Sequence, residues 1–494
     1  MTSLWLENTS AGPEPVAPTT IGGRYDHVVV GGGITGLTTA LLLARAGRSV
    51  AVIEARYIGA GATGNTTGKV SLLQGTRLST IGRHHDVSAM ESYVAANRAA
   101  LDWLGEYCRG RDLDYQEHAA VTFATTPAGA QAVDSEYEAC TRVGLPVERT
   151  DCPELPFTTH AGVRLDHQAQ IDPMVTLRAM VADLATLGAD VYENVRVTGV
   201  RPRSHGHTVA TSVGDLTAKS VVIATGTPFL DRGGFFARLR PRRSYAASFQ
   251  VGGPIPQDMY LGADDPTVSL RTAPRADGEQ LLVGGFGHEV GRASSERRYV
   301  DDLLAWTAKW FPDARLTARW AAQDYLSIDE LPYVGPLLPG IDVHVATGFA
   351  KWGMTNGVAA ALALAARLSG APAPSWAETF QPWRRAQVAA TPTALSTNLA
   401  VGKELAEGYL RLLRPADPEP PEGQGTVGRV GMGPRGVCTV DGERSSVVPI
   451  CTHLYGVLEW NDADCSWDCP LHGSRFDPHG NILEGPATRK LPKG

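Results

Sequence analysis

The sequence predicts an α/β fold that is followed by a small all-β domain. A strand, a Gly-rich turn and a helix follow one another near the N terminus, and the same succession returns at residues 345–368. Beyond residue 423 the chain instead shows short runs in which apolar and polar side chains alternate, as they do in strands. With 494 residues, the chain is long enough to form several domains.

Composition and charge exclude several classes of function. A hydrophobic content of 43% and a charged content of 20% are typical of globular proteins, and a net charge of -7 argues against nucleic acid as a partner. No apolar run is long enough to span a bilayer. Four of the seven cysteines fall within residues 438–469. This crowding indicates a metal or cluster site in a reducing, cytoplasmic compartment rather than a secreted disulfide framework.

The same features divide the chain into four segments. Residues 1–23 are rich in proline and lack the basic residues of a targeting peptide, so we expect a disordered leader. Residues 24–370 form the α/β unit. A helical connector and a Pro-rich linker are predicted at 371–422, and the all-β domain is predicted at 423–494.

The N-terminal turn carries the pattern of a dinucleotide site. Gly31, Gly33 and Gly36 are spaced as Gly-x-Gly-x-x-Gly between a β-branched strand and an apolar helix, and Glu54 ends the next strand. In such a βαβ unit the glycines allow a tight turn, a close approach of the pyrophosphate to the backbone, and close packing of helix on strand. The helix N terminus stabilises the phosphates, and the acidic residue can bind the ribose hydroxyls. This pattern fits NAD or FAD.

Five further stretches match a known family. They are GAGATGNTTGKVS (59–71), QIDPMVTLRAMVADLATLGADVYENVRVTGV (170–200), VVIATG (221–226), LPYVGP (331–336) and VHVATGFAKWGMTNG (343–357). With the N-terminal turn, they resemble the FAD-dependent oxidoreductases of the D-amino-acid oxidase and sarcosine oxidase superfamily over residues 24–370. The resemblance implies a Rossmann-type FAD-binding domain that is interleaved with an α+β substrate domain.

The resemblance also implies which residues lie at the FAD. The flavin is expected to be non-covalent, because no cysteine falls between Trp320 and Gly357. A second helix, which begins after the turn at Gly348, can direct its dipole at the flavin. The residues expected to contact FAD are Gly31, Gly33, Ile34, Thr35, Gly36, Glu54, Ala55, Thr66, Thr67, Val197, Ala224, Thr225, Gly226, Gly348, Trp352, Gly353, Met354 and Thr355.

Amine-oxidising members of this superfamily suggest the reaction. They imply a small amine or amino acid that is oxidised at a C–N bond. Where sarcosine oxidase-like members carry a lysine for the reaction with oxygen, this chain has Leu282, which implies a dehydrogenase rather than an oxidase. The candidate catalytic residues flank the flavin-side motifs and are His288, Lys351, Tyr325 and Arg271.

Near the C terminus, two Cys/His pairs have the spacing of metal ligands. Cys451-x-His453 is followed, after fifteen intervening residues, by Cys469-x-x-His472. Four such ligands suit tetrahedral zinc. They equally suit a Rieske [2Fe–2S] centre, in which two cysteines bind one iron and two histidines bind the other. Because each loop supplies one cysteine and one histidine, the spacing favours the Rieske centre over zinc.

The flanking residues also resemble the Rieske family. CTHL, WDCPLHGSRFD and GPA are similar to the two ligand loops and the proline loop of Rieske proteins. Gly456 and Leu471 stand where respiratory members carry a second pair of cysteines, and Phe476 stands where they carry a tyrosine, while Ser474 is retained. Fewer hydrogen-bond donors imply a potential in the lower half of the Rieske range of about -150 to +300 mV.

The two parts together predict an electron relay. A flavin accepts two electrons from its substrate, and a Rieske cluster passes electrons singly to an acceptor, which would be a protein or a quinone. Flavin–Rieske fusions with this order of parts form a known family, which the chain resembles from end to end. Two alternatives remain, a reductase component that donates electrons to a partner protein and a non-enzymatic redox sensor.

Overall fold

The structure is a computed structural model that describes residues 2–7, 18–275, 278–384, 391–431 and 433–494, without the side chains of 391–397 and 400. Its α-helices are α1 (Leu4–Glu7), α2 (Ile34–Arg45), α3 (Arg77–His84), α4 (Val87–Arg109), α5 (Pro127–Arg142), α6 (Pro173–Thr186), α7 (Arg297–Trp310), α8 (Gly353–Ser369) and α9 (Thr391–Arg411). Its strands are β1 (Arg24–Val30), β2 (Val50–Ile53), β3 (Lys69–Val70), β4 (Tyr115–Ala124), β5 (Glu148–Arg149), β6 (Ala161–Ile171), β7 (Asp190–Tyr192), β8 (Val197–Arg203), β9 (Gly206–Thr211), β10 (Gly214–Ile223), β11 (Leu239–Gln250), β12 (Met259–Gly262), β13 (Val268–Ala273), β14 (Gln280–Glu289), β15 (Arg315–Ser327), β16 (Tyr333–Pro336), β17 (Val343–Thr347), β18 (Gly425–Val430), β19 (Gly433–Val440), β20 (Glu443–Val447), β21 (Glu459–Asn461), β22 (Ser466–Asp468), β23 (Arg475–Phe476) and β24 (Ile482–Glu484).

The first sheet has eight strands and carries the Gly-rich turns. Its main path is β16-β17-β10-β1-β2-β7, and β9 and β8 extend from β10. The strands β17, β10, β1, β2 and β7 are parallel, and helices α2, α6 and α8 pack together above them. Since parallel strands end at the same edge, the turns that follow β1, β10 and β17 meet there.

The second sheet has nine strands and is largely antiparallel. Its path is β15-β11-β14-β13-β12-β4-β6-β3, and β5 joins β6. Among the described strands of this sheet, only β4 and β12 pair in parallel. Helix α7 packs on β11 and β14. The chain passes from the first sheet to the second between β2 and β3, returns at β7, leaves again at β11 and returns at β16. The predicted interleaving of a nucleotide-binding domain with an α+β domain is therefore confirmed.

Residues 2–7 correct the prediction of a disordered leader. Leu4, Trp5 and Leu6 are buried, and the Trp5 indole donates a hydrogen bond of 2.6 Å to the Thr66 carbonyl. The guanidinium of Arg271 lies 5.3 Å from the Trp5 ring centroid. Although much of segment 1–23 is polar, the short apolar run Leu4–Leu6 packs over the loop that precedes β3. The remainder of the leader up to residue 17 lies outside the described residues.

The C-terminal part forms the small all-β domain that the sequence predicts. Strands β18-β19-β20 make one sheet and β21-β22-β23-β24 another, and Trp467 and Phe476 are fully buried between them. The connector contains a 3-10 helix at Ser375–Phe380 and helix α9, within the stretch predicted to be helical. Within the described ranges, no helix combines the length and the apolarity needed to cross a bilayer.

Candidate active site and cluster site

A cavity of about 560 Å³ lies where the turns of the first sheet face the second sheet. This position is where open parallel sheets bind nucleotides. Most of the residues predicted to contact FAD line this cavity. They are Gly31, Gly33, Ile34, Thr35, Glu54, Ala55, Thr66, Thr67, Val197, Ala224, Thr225, Gly226, Gly348, Trp352, Gly353 and Met354.

Two further predicted residues, Gly36 and Thr355, lie outside the cavity wall. A Cβ on Gly36 would lie 1.9 Å from the Gly31 carbonyl oxygen, so this glycine allows helix α2 to pack on β1. Gly31 itself has a φ of +114°, and a Cβ there would lie 2.4 Å from the Ala224 carbonyl oxygen. The Thr355 hydroxyl is buried and accepts a hydrogen bond of 3.1 Å from Gln74. Gly36 and Thr355 therefore position the wall residues without lining the cavity themselves.

The polar groups of the cavity suit a dinucleotide. Helices α2 and α8 both begin at its wall, so two sets of backbone N–H groups point towards it. The Glu54 carboxylate accepts hydrogen bonds from the Gly32 and Arg56 amides at 2.8 and 2.9 Å, which hold it at the end of β2. The close backbone approach at Gly31 leaves room for a pyrophosphate. These residues therefore fit FAD.

Of the four candidate catalytic residues, Tyr325 and Lys351 line the cavity. Lys351 is an exposed residue, and part of its surface faces the cavity. Burial lowers the pKa of its ammonium group, and the nearby Asp324 opposes this shift. Burial likewise raises the pKa of Asp324, and Lys351 and Arg242 oppose that shift. A cation and an anion therefore stand together at this end of the cavity.

His288 and Arg271 do not line the cavity. His288 lies between Tyr245 and Tyr299, with ring centroids 5.7 and 4.6 Å away, and its Nδ1 is 3.0 Å from the Glu289 carbonyl oxygen. Arg271 donates a hydrogen bond of 2.6 Å to the Thr67 carbonyl, behind the wall. Both side chains hold neighbouring segments in place, so their positions do not support a direct contact with substrate.

Several charged residues of the wall were not predicted from the sequence, and Lys69 is one of them. Its Nζ donates hydrogen bonds to the Tyr260 carbonyl at 2.6 Å and to the Ser269 hydroxyl at 2.8 Å. Burial lowers the pKa of this ammonium group well below its usual value, and the positive charge of Arg271 lowers it further. Leu282, in contrast, is buried in β14 and is not part of the wall. The motif GAGATGNTTGKVS contained the missed lysine, but nothing in its spacing singled the residue out.

The C-terminal domain completes the same cavity. Leu483, Glu484, Gly485, Ala487 and Thr488 line it, together with the flavin-side motifs. Gly485 and Ala487 belong to the GPA segment that resembles a Rieske proline loop. The predicted cluster domain is thus docked directly on the predicted flavin site.

The four predicted cluster ligands form two pairs. The thiols of Cys451 and Cys469 share a hydrogen bond that lowers the pKa of Cys451 and raises that of Cys469. The rings of His453 and His472 lie with their centroids 5.2 Å apart. The Nδ1 of His453 is buried without a hydrogen-bond partner among the described residues. Two cysteines at one end and two histidines at the other fit a two-iron cluster better than a single zinc ion.

The surroundings of these ligands agree with the expected departures from respiratory Rieske proteins. A Cβ on Gly456 would lie 2.7 Å from Leu471 Cδ1, so the two residues occupy facing positions where a disulfide would otherwise lie. Phe476 is fully buried and offers no hydroxyl. The Ser474 hydroxyl accepts a hydrogen bond of 3.0 Å from the Ala487 amide, and it also forms a hydrogen bond with the Cys451 thiol. Ser474 can therefore still stabilise a ligand sulfur.

The histidine edge of the cluster site is covered by the first domain. The Nε2 of His453 lies 2.6 Å from Asp231 Oδ1, and the Phe236 ring lies against both histidine rings. Burial, with His453 nearby, lowers the pKa of His472 to about 3. The two side chains are 5% and 8% exposed. This edge thus faces the flavin domain and not the solvent.

A buried ion cluster also joins the two domains. Arg243 of β11 donates a hydrogen bond of 2.7 Å to Asp464 and lies 3.4 Å from Glu484. Arg475 pairs with both of these carboxylates and with Asp468, at 2.9 to 3.0 Å. Both arginines are almost fully buried. Such a network stabilises one relative position of the domains, because separation would leave these charges without partners.

The fold and the two sites define a flavin-dependent oxidoreductase with a Rieske centre. The profile of the FAD dependent oxidoreductase family matches residues 26–367, and that of the Rieske [2Fe-2S] domain matches residues 417–493. The chain belongs to the FAD-dependent oxidoreductase family, with a C-terminal Rieske domain, and its cofactors are FAD and a [2Fe–2S] cluster.

Several known proteins are similar to this chain. The "Putative Rieske 2Fe-2S iron-sulfur protein YhfW" of Bacillus subtilis is 29% identical over 484 residues, which cover 94% of this chain and 92% of that protein. Glycine oxidase of Geobacillus kaustophilus is 26% identical over 355 residues, and the aligned region covers 67% of this chain and 89% of that protein. The structure of L-proline dehydrogenase from P. horikoshii matches with a TM-score of 0.60 at 18% identity, over 74% of this chain and 99% of that one. The last match shows the fold alone.

Proposed function

We propose that this protein is a dehydrogenase that oxidises a small amino acid or amine at a C–N bond and passes the electrons from FAD to its Rieske cluster. The observation that carries the proposal is the shared cavity, whose wall contains both the flavin-side turns and the proline loop of the cluster domain. A flavin in this cavity would contact the domain that accepts its electrons.

The charges of the cavity favour an amino acid over a simple amine. Lys351, Arg242 and Arg77 all oppose the rise in the pKa of Asp324, and two of them, Lys351 and Arg77, line the cavity with it. Arg77 is already paired with Glu330. One substrate carboxylate placed beside Lys351 would balance the remaining positive charge and accept a charged hydrogen bond. The substrate carboxylate is therefore assigned to Lys351.

One sequence relative supports the same class of substrate. Its name, glycine oxidase, specifies an amino acid. FAD held by this cavity would supply a hydride acceptor for the carbon next to the substrate nitrogen, and such chemistry would require an uncharged amine and a positioned substrate rather than an enzyme base. In this proposal Lys351 orients the substrate and Tyr325 closes the cavity towards the cluster domain.

The experiment is anaerobic mixing of the purified holoenzyme with amino acids and with the matching amines that lack the carboxylate. We expect amino acids to bleach the flavin band at lower concentration. Lys351→Met should raise the concentration needed for an amino acid by roughly tenfold to a hundredfold, the value of a charged hydrogen bond, and should change little for the amines.

Lys403→Met is the matched control, because this lysine is exposed and forms a surface ion pair with Glu407. A flavin that no amino acid or amine bleaches would refute the proposed reaction. Equal effects of Lys351→Met on amino acids and amines would refute the carboxylate assignment alone.

A further inference from the structure

Two side chains of β15 connect the flavin cavity to the cluster loops. Gln323 and Tyr325 both line the cavity and are 3% and 7% exposed. Both lie on the same face of the strand, because their positions differ by two residues. On one side they face the predicted flavin site, and on the other they touch the C-terminal domain.

Their hydrogen bonds form a continuous chain between the two sites. The Gln323 amide donates to the Tyr325 hydroxyl at 2.9 Å and to the Gly473 carbonyl at 2.7 Å. The Tyr325 hydroxyl donates to the Gly485 carbonyl of the proline loop at 3.4 Å. Gly473 follows the predicted ligand His472 directly, and its amide donates to the carbonyl of Cys469 at 3.0 Å. One side-chain amide therefore joins the cavity wall to a cluster-ligand loop.

Close packing holds this chain of bonds in one geometry. A Cβ on Gly473 would lie 2.8 Å from the Gln323 amide nitrogen, and a Cβ on Gly226 would lie 3.3 Å from the Tyr325 ring. Gly226 belongs to the turn after β10 that also lines the cavity. Both glycines thus allow the bridging side chains to approach the backbone on either side.

We propose that Gln323 and Tyr325 form the electron-transfer bridge between the flavin and the Rieske cluster. The inference rests on the proposed function, since it assumes that electrons pass between these cofactors. In each transfer one electron leaves the reduced flavin and one enters the oxidised cluster. No covalent bond in the bridge forms or breaks, and the Tyr325 hydroxyl keeps its proton.

Among the flavin-domain side chains that contact the cluster domain, Gln323 and Tyr325 are favoured as the bridge. The rate of electron tunnelling falls less steeply with distance along covalent bonds and hydrogen bonds than across gaps between atoms that are not bonded. Phe236 touches both ligand histidines but does not line the cavity, and the ion cluster around Arg475 contacts the cavity only through Glu484. Gln323 both lines the cavity and bonds to a ligand loop.

The test follows electron transfer after a light pulse that reduces the flavin of the holoenzyme, with added EDTA as the electron donor that is oxidised, so that no substrate is required. Cluster reduction is read from its visible absorbance and its electron paramagnetic resonance signal. In wild type we expect the cluster to be reduced as the flavin is reoxidised. Gln323→Met should slow this step on the order of tenfold, because it removes both hydrogen bonds while the volume is kept. Tyr325→Phe should slow it less.

Two matched substitutions serve as controls. Gln170 is a buried glutamine that bonds to Gln116 and Thr272, and Tyr260 is a buried tyrosine that bonds to Glu154. Gln170→Met and Tyr260→Phe should leave the rate of cluster reduction unchanged. Hydrogen exchange of residues 469–474 gives a readout that is independent of electron transfer. It should be faster in Gln323→Met, because the Gly473 carbonyl loses its partner.

The outcomes separate the bridge from the relay. Absence of cluster reduction in wild type would overturn both the relay and the bridge. Cluster reduction that is as fast in Gln323→Met and Tyr325→Phe as in wild type would overturn the bridge and leave the relay standing. Slower transfer in the two bridge variants, with unchanged cluster potential and unchanged controls, is the result that the bridge predicts.

Discussion

Removal of Arg243 should release the cluster domain from the flavin domain. Its guanidinium is 4% exposed and lies between Asp464 and Glu484. Although burial alone would raise the pKa of Asp464, Arg243 and Arg475 hold that pKa below its usual value. In Arg243→Met, Arg475 alone would face the carboxylates of Asp464, Asp468 and Glu484. Loss of one partner from a buried ion pair costs about 3–5 kcal/mol, and we expect a loss of this size for the docked domain.

The assay is urea unfolding of the holoprotein, followed by the visible circular dichroism of the cluster. Arg149→Met is the control, because Arg149 and Asp134 are about half exposed and such pairs contribute about 0–1 kcal/mol. If Arg243→Met lowers the free energy of unfolding of the C-terminal domain by less than about 1 kcal/mol, the prediction is refuted, because the buried ion cluster would then not hold the domains together. A similar, large loss of unfolding free energy in Arg243→Met and Arg149→Met would also contradict the prediction.

Two further changes have expected outcomes. Burial raises the pKa of Glu296 to about 8, so this carboxyl destabilises the fold increasingly as pH rises from about 4.5 to 8. Glu296→Gln should therefore add little stability at pH 5 and up to about 4 kcal/mol at pH 8.5 in thermal unfolding, and a pH-independent effect would contradict this account. Gly31→Ala should abolish FAD retention on purification, because the new methyl group meets the backbone of the neighbouring turn at a positive φ. Gly253→Ala, where a Cβ meets no atom within 4 Å and which lies away from the cavity wall, should retain FAD as wild type does, and equal retention in Gly31→Ala would be the contrary result.

Local motifs predicted the parts of the molecule that local geometry determines. The turn around Gly31 could be recognised because a close backbone approach admits only glycine there. The ligands Cys451 and His472 could be recognised because each of the two loops carries one cysteine and one histidine, an arrangement that favours a Rieske centre with two cysteines on one iron and two histidines on the other. Interleaving of the two sheets followed from the resemblance and not from periodicity.

Features that depend on packing between distant segments could not be predicted. The contact of Gln323 with Gly473 joins residues 150 positions apart and arises only when the domains dock. The position of His288 near a flavin-side motif did not predict whether its side chain would line the cavity. Side chains along β14 alternate between the two faces of the sheet, and a bulge in the pairing of β11 with β14 shifts the register. Trp5 showed that a short apolar run can be ordered within a polar leader.

The stoichiometry of reduction tests the central claim most directly. A substrate amine donates two electrons, FAD accepts two and the cluster one, so a relay should need about one and a half equivalents of amine per chain for complete reduction. We predict this end point in an anaerobic titration, together with the electron paramagnetic resonance signal of a reduced Rieske cluster. An end point at about one equivalent, with a cluster that stays oxidised, would contradict electron transfer from the flavin to the cluster.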